Sequence, residues 1–283
     1  MSSRNRSEGW THAKISGHSN EEILKNRIKD NSDFRRELAK KIKNTSQISA
    51  VNVGGINETN VADVFGGKTK SKTDLILSWE DGLHTNISIK KSSGGQVYLI
   101  GVDRFLAGYQ KQFNEQIDAK VIRAFKLFFG GASDMISLLH DENLSKGKKI
   151  EVLDYELRKK RMTWKTMSAY DNELCEILIK WFQDNIRNII LFCFQRGLAS
   201  NQNDWAEFVW YHNEIESGVI DSMHNIEIMA EELASESSIK QIEAGEKNGG
   251  TTIKLPFGFV QWHLSQIQFH HQQHVILNNS QSI

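Results

Sequence analysis

The chain has 283 residues, 39% of them hydrophobic and 25% charged, with a mean hydropathy of -0.47. This is the balance of a globular protein able to bury a core without disulfides or a structural metal. The longest apolar run, 189–194, falls far short of the roughly 18 to 20 residues of a membrane helix, and Met1-Ser2-Ser3-Arg4-Asn5-Arg6 leads into no apolar segment, so a cytoplasmic protein is expected. The net charge of zero hides an asymmetry: residues 1–165 carry 29 Lys and Arg against 20 Asp and Glu, a net +9, and residues 166–283 carry 6 against 15, a net -9. A basic first part facing phosphates with an acidic part packed behind it would give this pattern, as would solvated helices patterned by chance.

In chain order, Trp10, Thr11, His12, Lys14, Ser16 and His18 crowd chemical groups into the first segment. Lys14 suits a phosphate contact there, and Trp10 a hydrophobic staple. Ser19 and Glu22 then form the pattern Ser-x-x-Glu ahead of Ile23 and Leu24, which predicts a capped helix over 19–43 with Lys25, Lys29, Arg35, Arg36, Lys40 and Lys41 on a basic face. A β-prone stretch, 46–53, ends at Gly54-Gly55. Residues 62–69 (ADVFGGKT) imitate a phosphate-binding loop, but they lead into a strand, whereas such a loop must open a helix. Lys68, Lys70 and Lys72 suit phosphate contacts or a solvated loop.

Residues 72–79 (KTDLILSW) and 83–91 (LHTNISIKK) are two apolar-rich runs joined by Glu80-Asp81-Gly82, the clearest hairpin in the chain. With Trp79 facing Leu83, counting back sets Asp74 opposite Ser88. Side chains alternate across a strand, so Asp74, Ser88 and Lys90 share one face while Leu75, Leu77, Ile87 and Ile89 fill the other. A short strand follows at 97–100, then a helix over 104–129 ending at Gly130-Gly131. Helical spacing resumes from Ala169 to about Gly197, and a second helix is expected over 205–235. Strand-like composition returns at 251–263 and 266–276, around the single proline, Pro256.

Cys175 and Cys193 lie in an apolar helical pattern with no CxxC pairing and read as core residues. His263, His270, His271 and His274 have no acidic or Cys partner nearby, and His270 and His271 point to opposite faces of a strand, so a zinc site is not expected. Gln261, His263, Gln266, Gln268, His270, Gln272 and Gln273 alternate with Phe259, Trp262 and Phe269. Such amides and imidazoles suit base edges in a groove, or the polar outer face of a terminal hairpin. Strands first and long helices after predict a mixed α/β fold: a central mixed β-sheet flanked by helices, with a helical C-terminal addition ending in strands.

An acid and a lysine on one sheet face suit metal binding by the carboxylate and orientation of a water by the lysine for attack on phosphate. Thr73-Asp74, followed after 13 residues by Ser88-Ile89-Lys90, resembles the PD-(D/E)xK nuclease motif, and within that superfamily it looks most like the type II restriction endonucleases. Thr73 replaces the proline and Ser88 the second acidic residue, so the site needs a carboxylate from elsewhere. Glu21 is the first candidate, since the family often supplies one from the helix before the strands; Glu22 and Asp103 are the others.

The resemblance implies a restriction-endonuclease-like core over 1–165, with 166–283 an acidic helical region and terminal strands of the same globular unit. It implies a Mg²⁺-dependent, site-specific double-stranded DNA endonuclease in which Asp74 and Glu21 bind metal, Lys90 serves the attacking water and Ser88 fills the motif's second position. Lys14, Lys68, Lys70, Lys72, Lys91, Gln96, Gln261, His263, Gln268 and His270 would contact DNA. It also implies a homodimer in a prokaryotic cytoplasm and a DNA methyltransferase as functional counterpart. Two alternatives stay open, a structure-selective repair or recombination nuclease and a non-catalytic DNA-binding protein. In the second, Asp74 and Lys90 form an exposed cross-strand pair contributing only about 0.2 to 1 kcal/mol.

Overall fold

The structure, a computed structural model, describes residues 6–53, 60–130, 162–215, 218–246, 250–263 and 266–283; of residues 6–16 and 53 it describes the backbone alone. Its fold is mixed α/β, in two compact units, each drawn from separated stretches of chain: residues 1–93, 194–229 and 280–283 form the first, and residues 94–193 and 230–279 the second. Among the described residues no helix is long and apolar enough to cross a membrane.

The first unit opens with two helices, α1 (Arg6–Asp30) and α2 (Ser32–Ile42). The single helix expected over 19–43 is therefore two. Asn31 breaks it: its backbone is extended and its side chain accepts from the Phe34 N–H at 2.9 Å, capping α2. Ser19 is not a cap, because helical backbone already runs from Arg6. Strand β1 (Ile48–Val53) follows, then the short pair β2 (Asn60–Ala62) and β3 (Lys68–Lys70), then β4 (Leu75–Trp79) and β5 (His84–Lys90). With β7 (Phe208–Tyr211) and β8 (Ser222–Asn225) they make a five-stranded sheet ordered β1-β4-β5-β7-β8, mixed because β5 and β7 run parallel while the other neighbours are antiparallel.

The hairpin register matches the sequence reading: Leu75 faces Ile87 and Ser78 faces His84. Gly82, at φ +83°, takes the left-handed turn position that a side chain would strain. Leu24 and Ile28 of α1 and Leu38 of α2 pack into one core with Leu75, Leu77, Ile87 and Ile89. Burying four such strand residues and three helical ones, at roughly 1.5 to 3 kcal/mol each, fixes the register and seats the helices on the sheet. The P-loop look-alike is a tight turn between β2 and β3, in which Asp63 Oδ1 accepts from the N–H groups of Phe65 and Gly67, both at 2.8 Å.

The second unit contains β6 (Gly94–Gly101), α3 (Val102–Phe113), α4 (Ala119–Phe128), α5 (Trp164–Tyr170) and α6 (Asn172–Ile190), then α7 (Ile226–Leu233), which crosses into it from the first unit, α8 (Glu236–Ile239), β9 (Thr252–Leu255), β10 (Gly258–His263), β11 (Gln266–Gln272) and α9 (Gln273–Asn279). Its antiparallel sheet is ordered β6-β11-β10-β9. Phe105, Phe125, Trp181 and Phe192 form its aromatic core, with ring centroids 4.9 to 6.4 Å apart. Both cysteines are buried free thiols.

Three further expectations are corrected. The helix over 104–129 is two helices, because Asn114 turns left-handed at φ +52° and Asp118 caps α4. The helix over 205–235 is replaced by β7, β8 and their connections, with helix over Ile226–Leu233. All four residues of β7 are buried, as in an inner strand covered on both faces, and such a run has no alternation to mark it as a strand. The last strand stops at Gln272, where α9 begins.

Candidate active site

Asp74 stands just before β4, held in register by its N–H donating to the Ile87 carbonyl at 2.9 Å. Its Oδ2 accepts from the Ile89 N–H at 2.6 Å and from the Ser88 hydroxyl at 3.1 Å, and that hydroxyl in turn accepts from Lys90 Nζ at 2.8 Å. Ser88 thus joins the acid to the ammonium, which also donates to the Ile89 carbonyl at 3.3 Å. The sequence reading set these three side chains on a sheet surface. Ser88 is instead 1% exposed, and Asp74 and Lys90 are half-buried, so the row is partly covered. Beside it on β5, Asn86 Nδ2 donates to the Asn203 and Trp205 carbonyls at 2.8 and 3.0 Å.

Of the three candidate acids, the structure brings Glu21 to this row. Its pKa is pushed up to about 8, first by burial and then by the charge of Asp74, with Lys90 partly opposing. Glu21 Oε2 is buried with no hydrogen-bond partner; His18 Nδ1, one turn earlier on α1, lies 3.4 Å from it. Glu22 points to solvent and pairs with Lys25, and Asp103 opens α3 of the second unit, where it pairs with Lys126.

The donor set fits a hard divalent cation. An orphaned buried carboxylate oxygen beside a second carboxylate is what such an ion neutralises, and Mg²⁺ is held by one or two carboxylates and several waters rather than by a full protein cage. Among the described residues no group of three or more His, Cys, Asp and Glu side chains is placed to hold a metal.

A solved structure is similar to this chain over most of its length. It is that of the restriction endonuclease MspI in complex with its cognate DNA, at a TM-score of 0.48 and 12% identity over 88% of this chain and 83% of that one. No family profile and no curated protein matches the chain.

The other expected contact residues are dispersed. Lys68 and Lys70 are exposed on β3; Lys72 and Lys91 are half-buried, each with a partner. The side chain of Lys14 lies outside the described residues. Gln96, Gln261, Gln268 and His270 form a row across β6, β11 and β10: Gln268 Nε2 donates to Gln96 Oε1 at 2.8 Å, and Gln261 Nε2 donates to Gln268 Oε1 at 2.9 Å and lies 3.2 Å from His270 Nε2. His270 stacks on Phe259 at 4.5 Å, and His263 is half-buried at the end of β10.

Sequence reasoning missed a group beside the end of β5. Asn20, fully buried one position before Glu21, donates to the His212 carbonyl at 2.9 Å and accepts from the Glu214 N–H at 2.7 Å. His212 Nε2 meets Glu214 Oε1 at 2.6 Å, and its Nδ1 lies 3.4 Å from Asp221. Burial works to lower the His212 pKa, but the Asp221 and Glu214 carboxylates on its two sides outweigh it and raise the value above that of an ordinary histidine. The only sequence signal was a polar Asn beside the candidate acid; its partners lie 192 and 194 residues away.

Proposed function

We propose that the protein is a Mg²⁺-dependent, site-specific double-stranded DNA endonuclease of the type II restriction kind. The observation that carries this reading is the Glu21 carboxyl, its Oε2 buried without a hydrogen bond, beside the Asp74–Ser88–Lys90 chain. Burial and the charge of Asp74 hold a proton on Glu21 up to a pKa of about 8, and a divalent cation would take the place of that proton. When bound, that cation supplies positive charge against the scissile phosphate and makes an adjacent water more acidic.

The residues of the chain do the rest. Asp74, fixed by the Ile89 N–H and the Ser88 hydroxyl, keeps one oxygen geometry for the ion. Ser88 holds Lys90 in place, and with two of its three N–H groups given to Ser88 and Ile89 the ammonium keeps one for the attacking water or a phosphate oxygen. The water oxygen bonds to phosphorus as the bridging P–O bond to the leaving strand end breaks; the Lys90 ammonium orients the water as a donor only, the water's proton goes to solvent, and the leaving oxygen takes a proton from solvent. Lys68 and Lys70 would meet phosphates, with Lys14, Lys72 and Lys91 in support, and the Gln96–Gln268–Gln261–His270 row, with His263, would present amides and imidazoles to base edges. A symmetric site cut on both strands calls for a homodimer, and a methyltransferase would shield the same sequence in the host.

Incubating the full chain with plasmid or phage DNA, with Mg²⁺ or with chelator, tests the reading on a gel. Discrete Mg²⁺-dependent fragments are expected. A smear, or cleavage confined to branched or nicked substrates, would replace site specificity with structure selectivity, and binding without cleavage on many unmethylated DNAs would reduce the protein to a DNA binder.

A further inference from the structure

The site holds two parts that come from different elements and must meet at a fixed distance: Glu21 on α1 and Lys90 at the end of β5. The catalytic hairpin sets Lys90 against Asp74, but it does nothing to place Glu21. What joins the two is a short relay of hydrogen bonds through the main chain after β7. The His212 N–H donates to the Lys90 carbonyl at 3.1 Å, the His212 carbonyl accepts from Asn20 Nδ2 at 2.9 Å, and the Glu214 N–H donates to Asn20 Oδ1 at 2.7 Å. Both ends of the Asn20 amide are therefore used, in a side chain with no exposed surface. No other residue type of that size offers one donor and one acceptor at this spacing.

Two turns further along α1, Arg27 grips the same segment through an ion pair with Glu214 and lies over the Phe34 ring at 4.1 Å. Positions 20 and 27 lie on one helix face, so the two contacts fix both the height and the rotation of α1. Asn213 ties the segment to the hairpin a second time, donating to the Lys91 carbonyl at 3.0 Å. A rotation of α1 by one residue would carry Glu21 about 100° around the helix and away from Asp74 and Lys90.

We propose that Asn20 is a positioning residue, which sets the distance of Glu21 from Asp74 and Lys90 by clamping α1 to the 212–214 main chain. The inference rests on the reading of Glu21 and Asp74 as a cation site. Groups that orient metal ligands from behind are worth about 10- to 100-fold in metal affinity or activity when removed.

The test uses the full chain and Mn²⁺ as probe, titrated calorimetrically without DNA, beside cleavage kinetics at saturating Mg²⁺. Asn20→Ala is expected to weaken Mn²⁺ binding by about 10- to 100-fold and to lower kcat by a similar factor, with KM for DNA within about twofold. Leu38→Ala, in the core of the same unit and outside the hydrogen-bond relay, serves as a control that lowers stability and is expected to bind Mn²⁺ as the wild type does. If Asn20→Ala keeps wild-type Mn²⁺ affinity, or if Leu38→Ala loses as much, Asn20 is a structural amide and the proposal is wrong. Should Asn20→Ala not fold, Arg27→Ala loosens the clamp from its exposed side: weaker Mn²⁺ binding, in the same direction but smaller, is expected, and unchanged affinity overturns the proposal. A wild-type chain that binds no Mn²⁺ removes the cation site itself, and with it both readings; a wild type that binds Mn²⁺ while Asn20→Ala is unaffected removes only the clamp.

Discussion

Each unit carries a sheet with a row of polar side chains on one face, and the two rows differ in how their groups are satisfied. In the first, Asp74, Ser88 and Lys90 pair with one another, but Glu21 brings a second carboxylate that finds no hydrogen bond for its buried oxygen. In the second, the amides of Gln96, Gln268 and Gln261 and the His270 ring pair along the row itself. A buried polar atom left unpaired costs about 1 to 3 kcal/mol, so the first row is stable as a ligand site and poor as a structural one. The second has no such debt, and its paired amides hold fixed orientations while keeping outward donors and acceptors. Alternation along a strand builds both; what separates them is the second carboxyl that α1 brings to the first.

The sharpest way to break this contrast is to remove the lysine. Lys90→Ala is expected to lower kcat for DNA cleavage by about 10²- to 10⁴-fold while leaving DNA binding in chelator within a few fold, and Asp74→Asn to abolish cleavage with the fold intact. Single-turnover cleavage beside a binding assay measures both, and cleavage that survives Lys90→Ala would move the reaction to another place.

Glu21 sharpens the contrast through pH. With its pKa at about 8 in the metal-free protein, a cation must displace a proton at lower pH, so Mn²⁺ affinity should rise by up to about tenfold per pH unit from 6 to 8 and flatten above. In Glu21→Gln that slope should vanish and the affinity fall. The sign for stability is the reverse. A carboxyl whose folded pKa lies above its unfolded value makes the folded state lose stability as pH climbs from 4.5 towards 8, so at pH 9 without metal Glu21→Gln should melt above the wild type. Equal melting temperatures there would mean that the Glu21 carboxylate is not strained by its setting.

The β4–β5 hairpin was legible because one face of it had to take Leu75, Leu77, Ile87 and Ile89, which left a single register once Gly82 fixed the turn. The acid was legible only as a choice of three, since sequence spacing says nothing of where α1 lies on the sheet. Strand β7 was misread because burial on both faces removes the alternation that marks a strand, and the break at Asn31 because a side-chain cap inside a long polar helix leaves no gap in the pattern. The Asn20 clamp was invisible for a different reason: both its partners are main-chain groups, which every residue carries.

The second row predicts a smaller effect. Gln261→Ala removes a half-buried amide from the middle of the row, and the expected cost is about 1 to 3 kcal/mol of preference at one base pair, with affinity for unrelated DNA unchanged because no phosphate contact is lost. Binding to a panel of single-base variants of the cleaved site reads this directly. A loss spread evenly over all sequences would show that the row does not read bases.

The smallest effect concerns the frame behind the first row. His212 is flanked by Glu214 and Asp221, with Arg27 and Lys41 pairing those carboxylates from outside and the Phe34 and Trp210 rings beside it. Because its folded pKa lies above 6.5, the folded protein keeps a proton that the unfolded chain gives up. The stabilisation is therefore fully present below pH 6.5 and lost as pH rises through the folded value. His212→Gln should cost about 1 kcal/mol or less beyond its packing loss at pH 6, the half-exposed Asp221 screening the pair, and this excess should disappear by pH 9. Melting curves of the two proteins at both pH values decide it: a gap that does not narrow means that the imidazole acts there through its shape and neutral hydrogen bonds, and that the frame of the first row is as charge-neutral as the glutamine row.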